Sequence, residues 1–333
     1  MLVNTSEAVN ASQQDAVTIS VILPAWNARS TIARTIKSVL AQSLQPMELV
    51  IIDDGSTDGT AEVAEAAVGG AGLPVRLLRK SNGGVASARN LGVSEALGTW
   101  VAMIDADDEY LPEALASLAA LVRIRPDAAV AFGDAMKVEN GVIKVETNIR
   151  RRLRQAGTDY IEADPNYLVD PERLLMFGSF LAPGSFMVRR DLLLAVGPCN
   201  PRLRRAVDRD MFLRLAARAA GPWVFTWSRL SQINYVEGSL SSRSNALRHA
   251  LSQLEVLSDH SRRISPASAD RMAVLHAAQR SSAQRALYFA SKDGPSAVIS
   301  VARTLPRSAW PALAPDLLKA LVRRTLAPDR QRW

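Results

Sequence analysis

Hydrophobic positions alternate between two rhythms along the first third of the chain. "VTISVIL" at residues 17–23 is a continuous apolar run rich in β-branched residues, the pattern of a strand covered on both faces. After the turn "PAWNARS", Ile32, Ile36, Val39 and Leu40 recur at helical spacing. A second apolar run, "MELVII", ends in "DDGSTDGT", where Ser56, Thr57 or Asp58 can cap a following helix, "AEVAEAAV". The alternation continues through "PVRLL", the Gly-rich "SNGG" that opens a helix, "TWVAMI" and "AAVAF". Strands alternating with helices over about 115 residues predict an α/β fold, a mostly parallel central sheet with flanking helices and right-handed crossovers. In such a sheet the ligand site lies beyond the C-terminal ends of the strands. Two acidic clusters, Asp53/Asp54 and Asp105/Asp107/Asp108, stand at those ends and should converge at one edge.

From residue 134 the rhythm breaks. "KVENGVIKV" reads as a hairpin about Asn140 and Gly141, followed by the basic, irregular "RRRLRQAGTDYIEADPNY". "RRAVDRDMFLRLAARA" reads as a helix with Met211, Phe212 and Leu215 on one face, and the chain after "YVEGSLSSRSN" is mostly helical with Pro breaks.

Composition narrows the classes. With 333 residues, 48% hydrophobic and 22% charged, the chain has an ordinary globular balance and enough length for a large core. The formal net charge of +7 is uneven: from residue 241 onward 15 Lys+Arg face 6 Asp+Glu, whereas residues 1–240 hold 25 against 27. A nucleic-acid partner is not expected, because the acidic clusters sit in the part without a positive excess and aromatics are only 5%. The single cysteine, Cys199, excludes an internal disulfide and a cysteine-based zinc site and fits a reducing compartment. The polar start "MLVNTSEAVNASQQDA" lacks the pattern of a secretory signal, and no apolar run reaches membrane-spanning length. A cytoplasmic location is expected. In the tail, Leu317, Leu318, Leu321 and Val322 lie beside Lys319, Arg323 and Arg324, a helix that either packs on the rest of the protein or rests on an anionic membrane at its inner face.

Chemistry concentrates at the strand ends. A D-x-D pattern, here Asp105 and Asp107, can hold Mg²⁺ or Mn²⁺ through one or two carboxylates while waters and substrate phosphates take the other positions. An Asp pair at a parallel strand end can hydrogen-bond a base or ribose. "NGGVASARN" places Asn82 and Gly83 before a helix that carries Arg89, so backbone N–H groups and a guanidinium can serve a nucleotide. Each motif also has a bland reading: "DDGSTDG" as a turn and cap, "DADDEYLP" as a helix start with Pro112 in its first turn, "SNGG" as a loop. His249, His260 and His276 have no i, i+4 partner or neighbouring carboxylate pattern and read as surface or interhelical histidines.

Taken together, in order and spacing, "SVILPAWN", "LVIIDDGSTDGT", "NGGVASARNLG" and "MIDADDEYLP" resemble the family-2 glycosyltransferases, nucleotide-sugar enzymes with the A-type glycosyltransferase fold. The resemblance covers residues 18 to 241 and is most specific over 18–112. It implies a catalytic domain at 17–242, with a nucleotide-binding half at 17–133 and an acceptor half at 134–242, between a leader at 1–16 and a helical region at 243–333. It implies that Pro24, Ala25, Trp26 and Asn27 line the nucleotide pocket, with Trp26 where the family usually has Tyr. It further implies that Asp54 recognises the base with Asp53 beside it, that Asn82, Gly83, Arg89, Asp105 and Ala106 lie at the nucleotide, and that Asp105 and Asp107 belong to the metal motif.

The family's catalytic base is the Asp of a Glu-Asp pair at a helix start. Here Val207 takes the Glu position and Asp208 remains, with Asp210 as the alternative two residues on. "FGSFLAPGSFMVRR" matches the acceptor side, where Gly178, Gly184 and Ser185 either admit a saccharide or lipid-linked acceptor or simply build turns. The resemblance therefore implies a metal-dependent, inverting sugar transfer from a nucleotide donor, UDP by family usage, in bacterial surface polysaccharide or glycolipid assembly. Val207 motivates one alternative, a non-catalytic nucleotide-sugar-binding relative. A sugar nucleotidyltransferase normally has a Gly-rich, basic loop after its first strand, which "PAWNARS" does not supply, and an oxidoreductase reading fails for want of G-x-G-x-x-G there.

Overall fold

The computed structural model describes residues 17–139, 141–145, 149, 167–168, 170–218, 221–235, 245–265, 268–305 and 316. The first elements follow the expected order: β1 (Ile19–Ala25), α1 (Ile32–Leu40), β2 (Glu48–Asp53), α2 (Thr60–Ala67), β3 (Val75–Arg79), α3 (Val85–Glu95), β4 (Trp100–Met103), β5 (Glu109–Tyr110) and α4 (Ala114–Ile124). Then come β6 (Val130–Glu139), β7 (Val142–Val145), β8 (Tyr167–Leu168), α5 (Pro171–Phe177), β9 (Phe186–Arg189), α6 (Arg190–Val196), α7 (Val207–Arg218) and β10 (Trp223–Asn234). Three helices close the described chain: α8 (Ala246–Ser261), α9 (Ala269–Asp293) and α10 (Pro295–Thr304).

These strands form one sheet in the order β3-β2-β1-β4-β9-β6-β10-β5. The stretch β3-β2-β1-β4 is wholly parallel, as the strand and helix alternation requires. Beyond β4 the sheet turns mixed: β9 runs antiparallel to β4 and β6, while β10 runs parallel to β6 and antiparallel to the short β5. The expected hairpin is present as the antiparallel β6–β7 pair. Its turn residue Asn140, the leader 1–16, the basic segment 150–166, and the tail stripe from Leu317 to Arg324 lie outside the described residues.

Alternate residues of β1 face opposite sides, which explains why its run is apolar throughout. Val21 and Leu23 pack with Ile32, Ile36 and Val39 of α1 and Leu115 and Leu118 of α4. Ile22 packs on the other side with Ala86, Ala88 and Val93 of α3, in a core that continues to Met211, Phe212 and Leu215 of α7. The face expected for α7 is therefore the buried one. Close approach of α3 to the sheet depends on Gly92, where a Cβ would come within 2.4 Å of Ile22 Cγ2 and 2.9 Å of Ile52 Cδ1.

At the N-terminal end of the sheet, opposite the acidic clusters, Glu48 is buried. Burial pushes its carboxyl upward, but hydrogen bonds from Ser20 Oγ (2.6 Å) and Leu97 N (2.7 Å) and the ion pair with Arg76 (2.7 Å) outweigh that and hold it below the ordinary value. Among the described residues no helix is long and apolar enough to cross a membrane.

The closing helices α8–α10 share a small core of Ala250, Ala286, Leu287, Val298 and Val301. They also reach α5 and α7 through buried charge. His260 of α8 is an interhelical histidine, and its carboxylate partner comes from 88 residues earlier: His260 Nε2 lies 2.9 Å from Glu172 Oε1, and Arg271 of α9 pairs with the same carboxylate. Burial, with Arg263 and Arg209 nearby and opposed by Asp210, lowers His260 to about 4.

Two predictions follow from this packing. Gly92→Ala gains roughly 1 kcal/mol of helix propensity but forces the two isoleucines aside at a cost of roughly 1–3 kcal/mol, so a lower urea midpoint is expected. His260, neutral when folded, resists a proton that the unfolded chain accepts below pH 6.5, so its contribution is complete above that pH and is lost as pH falls toward 4. Urea midpoints at pH 7 and pH 5 should fall less steeply in His260→Gln than in the wild type, and equal slopes would remove His260 from the account.

Candidate active site

Strand order decides what meets at the sheet edge. β1 lies between β2 and β4, with Ala25 paired to Asp53 and Ile22 paired to Met103. Asp54 N donates to Ala25 O (2.8 Å), and Ile104 N to Ile22 O (3.1 Å), so "PAWN", "DDGS" and "DADD" all open on one edge. With strands about 4.8 Å apart, the β2 and β4 ends lie roughly 10 Å from each other. The expected convergence is there.

The first two loops are zipped together. Asn27 adopts a left-handed backbone (φ 48°), donates its N–H to Ser56 Oγ (2.9 Å), and accepts Thr57 N on Oδ1 (3.0 Å). Asp58 accepts Arg29 N (3.0 Å) and Thr60 N (3.0 Å), so of the three possible caps it is Asp58 that organises the start of α2, with Gly59 at φ 90° between them. This bracing leaves Pro24 and Ala25 buried and lifts Trp26 into solvent, 59% exposed at the rim. An exposed tryptophan on a braced loop is a ready stacking face.

Asp53 and Asp54 are both buried. Asp53 Oδ1 accepts Ser56 N (3.0 Å), and its Oδ2 lies 3.1 Å from Arg79 Nε, close enough for an ion pair but without hydrogen-bond alignment. Asp54 anchors the third loop: Oδ1 accepts Lys80 Nζ (2.6 Å) and Gly83 N (3.0 Å), and Oδ2 accepts Gly84 N (2.7 Å). Gly55 fits under this loop only without a side chain, since a Cβ would lie 2.8 Å from Asn82 N. Asn82 and Gly83 themselves are exposed beside the edge.

The three aspartates after β4 have different surroundings. Asp105 is half-buried, and its Oδ1 accepts Arg89 Nη2 at 2.7 Å; Arg89 is buried on α3. Asp107 is anchored through its carbonyl, which accepts Arg34 Nη2 (3.1 Å) and Asn234 Nδ2 (2.9 Å). Burial, then repulsion from Asp105, raises its carboxyl to about 6 against the pull of Arg34. Asp108 points inward: burial first, then Asp107 and Asp105, drive its carboxyl well above the carboxylate range, and Oδ1 accepts Asn234 N (2.9 Å). Ala106 is buried between the two outer aspartates.

Across the edge, α7 begins after Ala206, a left-handed non-glycine residue (φ 55°) whose carbonyl accepts Asp210 N. Asp208 is half-buried, with Oδ2 3.4 Å from Ser179 Oγ, and its charge acts on Arg89, which puts it on the Asp105 side. Asp210 is fully buried between Arg214 Nε (2.9 Å) and Arg263 Nη1 (3.5 Å). Gly178, Gly184 and Ser185 are all buried; Gly184 N donates to Met103 O, and the Ser185 hydroxyl closes a turn onto Ala182 O (2.8 Å). Their geometry is turn-building.

Several participants had no readable signal in the chain. Lys80 stands two residues before Asn82 with nothing to mark it, and Arg34 sits on the polar face of α1. Asn234 reaches Asp107 from 127 positions away. Among the described residues no group of three or more His, Cys, Asp or Glu side chains forms a metal cage. Asp105 and Asp107 still suit Mg²⁺ or Mn²⁺, hard ions that accept one or two carboxylates and keep waters and phosphates, and their mutual repulsion is what a cation relieves.

Known proteins of similar sequence and fold point to one family. Residues 20–196 match the family described as Glycosyl transferase family 2. A PGL/p-HBAD biosynthesis glycosyltransferase of Mycobacterium tuberculosis is 30% identical over 202 residues, 60% of this chain and 70% of that protein. S. aureus TarS 1–349 in complex with UDP-GlcNAc superposes with a TM-score of 0.60 at 19% identity, covering 92% of this chain and 82% of that one. The mannosyltransferase PcManGT of Pyrobaculum calidifontis, in complex with GDP-Man and Mn²⁺, gives 0.60 at 16% identity over 93% and 88%. The chain has the A-type glycosyltransferase fold and belongs to glycosyl transferase family 2.

Proposed function

We propose that this glycosyltransferase moves a sugar from a nucleoside diphosphate donor to a hydroxyl of a saccharide or lipid-linked acceptor, with inversion at the anomeric carbon. The observation that carries the reading is the meeting of Trp26, Asp54, Asp105 and Asp107 at the β2-β1-β4 edge, with Asp208 within electrostatic reach of Arg89, the partner of Asp105. Similar folds bind UDP-GlcNAc, and GDP-Man with Mn²⁺, which supports a nucleotide-sugar donor; UDP is the favoured nucleotide.

In this reading Trp26 stacks on the base and Asp54 accepts a base N–H, sharing its oxygens with Lys80 and the Gly83 and Gly84 amides. Asp105 and Asp107 would hold a divalent cation, and Arg89 holds the Asp105 carboxylate in place at 2.7 Å. A bound divalent ion offsets the negative charge that develops on the departing diphosphate. Asp208 takes the proton from the acceptor hydroxyl as that oxygen forms its bond to the anomeric carbon and the bond to the diphosphate breaks on the opposite face. One displacement gives inversion.

Val207 does not argue for a binding-only relative. It is buried in the core that α7 shares with the sheet, where a glutamate would need a partner, so its apolar side chain suits the site and leaves Asp208 untouched. The acceptor is read as a glycolipid or surface polysaccharide precursor, and similarity to a PGL/p-HBAD biosynthesis glycosyltransferase supports a biosynthetic role.

The test is nucleoside diphosphate release from a panel of nucleotide sugars with Mn²⁺, with product configuration read by NMR. Asp208→Asn should lower turnover by about 10²–10⁴-fold while retaining UDP binding, and Asp107→Ala or EDTA should abolish it. A product that keeps the donor's configuration, or an Asp208→Asn enzyme as fast as wild type, overturns the mechanism. Trp26→Ala should weaken UDP binding by roughly tenfold, the effect of losing one stacked base at about 1–3 kcal/mol, measured by calorimetry.

A further inference from the structure

The segment between α6 and α7, Val196–Cys199, is gripped from both sides of the candidate site. From α7, Arg214 Nη1 donates to Val196 O (2.8 Å) and also to Gly197 O, and Nη2 donates to Pro198 O (3.0 Å). Its Nε is held by the fully buried Asp210 at 2.9 Å, which Arg263, just after α8, also approaches at 3.5 Å. From α3, Asn90 takes the next residue in both directions: Nδ2 donates to Cys199 O (2.9 Å), and Oδ1 accepts Cys199 N (2.8 Å). Cys199 is buried within electrostatic reach of Arg89, Arg214, Asp208 and Asp210 together.

The two helices so joined carry the facing halves of the site. Asn90 follows Arg89, the partner of Asp105; Asp210 and Arg214 lie two and six residues beyond Asp208 on the helix that carries it in its first turn. We infer that Val196–Cys199 is a strap that fixes the distance between the donor-side helix α3 and the helix bearing Asp208, with Asn90, Arg214 and Asp210 as positioning residues. This rests on the reading of Asp208 as the base. Four backbone carbonyls and one amide held by two planar side chains make a stiff connection, because a guanidinium and a carboxamide each fix an orientation as well as a distance. It also gives the buried Asp210 a task distinct from that of Asp208, two residues before it. A loosened strap lets Asp208 withdraw from the acceptor oxygen while leaving the β2-β1-β4 edge, and so donor binding, intact.

The experiment uses the full chain and UDP release from whichever nucleotide sugar the wild type turns over fastest. Asn90→Ala and the milder Arg214→Lys, which keeps a charge for Asp210 but loses the fork, are compared with the wild type and Asp208→Asn. Expected are a 10- to 100-fold fall in kcat per folded molecule, a UDP Kd and donor KM within twofold of wild type, and faster labelling of Cys199, the chain's one cysteine, by a thiol reagent well below Tm. In the Asp208→Asn background, Asn90→Ala should cost nothing further. A kcat per folded molecule that stays at the wild-type value while only Tm falls overturns the strap, as does an equal loss in donor affinity. An Asp208→Asn enzyme that remains fast overturns instead the base assignment beneath it.

Discussion

Carboxylates buried at the edge of a parallel sheet need a positive or N–H partner at hydrogen-bond distance, and this requirement governs the architecture of the site. Asp53, Asp54 and Asp105 are each buried or half-buried at the ends of β2 and β4, and each has its own partners: Arg79 and Ser56 N; Lys80 with two glycine amides; Arg89. An ionised carboxylate in such a place without them would cost several kcal/mol and would instead take up a proton. The partners come from the loop after β2, from the end of β3 and the loop that follows it, and from α3, so satisfying the charges also shapes the rim. Trp26 stands clear of it because the loops beneath are tied to one another through Asn27, Ser56 and Asp58.

The same rule extends into the second half of the chain and explains why that half cannot be treated as an appendage. The family match ends at residue 196, yet Asp210 is paired with Arg263 in the turn after α8, Glu172 with His260 and Arg271, and Arg209 with Gln253 and the carbonyls of Leu175 and Met176. These groups are buried, so removal of the closing helices would leave Glu172, Arg209 and Asp210 with part of their compensation missing. The helix that carries Asp208 is thus braced by a region in which the chain shows no glycosyltransferase pattern.

Legibility from the chain follows the range of the interactions involved. β1 to β4 and their helices can be read because each depends on its own periodicity: Val21 and Leu23 against Ile22, or Ile32, Ile36 and Val39 at helical spacing. Convergence of the acidic clusters can be read too, since parallel connections leave little choice of edge. The mixed order β9-β6-β10-β5 is not readable, because antiparallel β9 enters the sheet beside β4 across about eighty residues of sequence and its four-residue run carries no sign of its neighbours. The division of labour in "DADD" escapes for the same reason. Asp108 is turned inward by Asn234 and Thr35, and nothing between positions 105 and 108 tells the inward carboxylate from the outward ones.

Asp208 and Asp210 put that limit most sharply. Two carboxylates two positions apart on a helix cannot face the same way, which says that one is outward and gives no sign of which. The deciding contacts are remote: Arg214 one turn on and Arg263 from the turn after α8 bind Asp210 in the core, whereas Asp208 lies within electrostatic reach of Arg89 and beside Ser179. Val207, the departure that raised the question of activity, belongs to the buried face along with Met211 and Leu215. A hydrophobic residue at that place suits the seat of the helix, and a seat of that kind, backed by a buried ion pair, fits the role proposed for Asp208, which requires its carboxylate to hold one orientation.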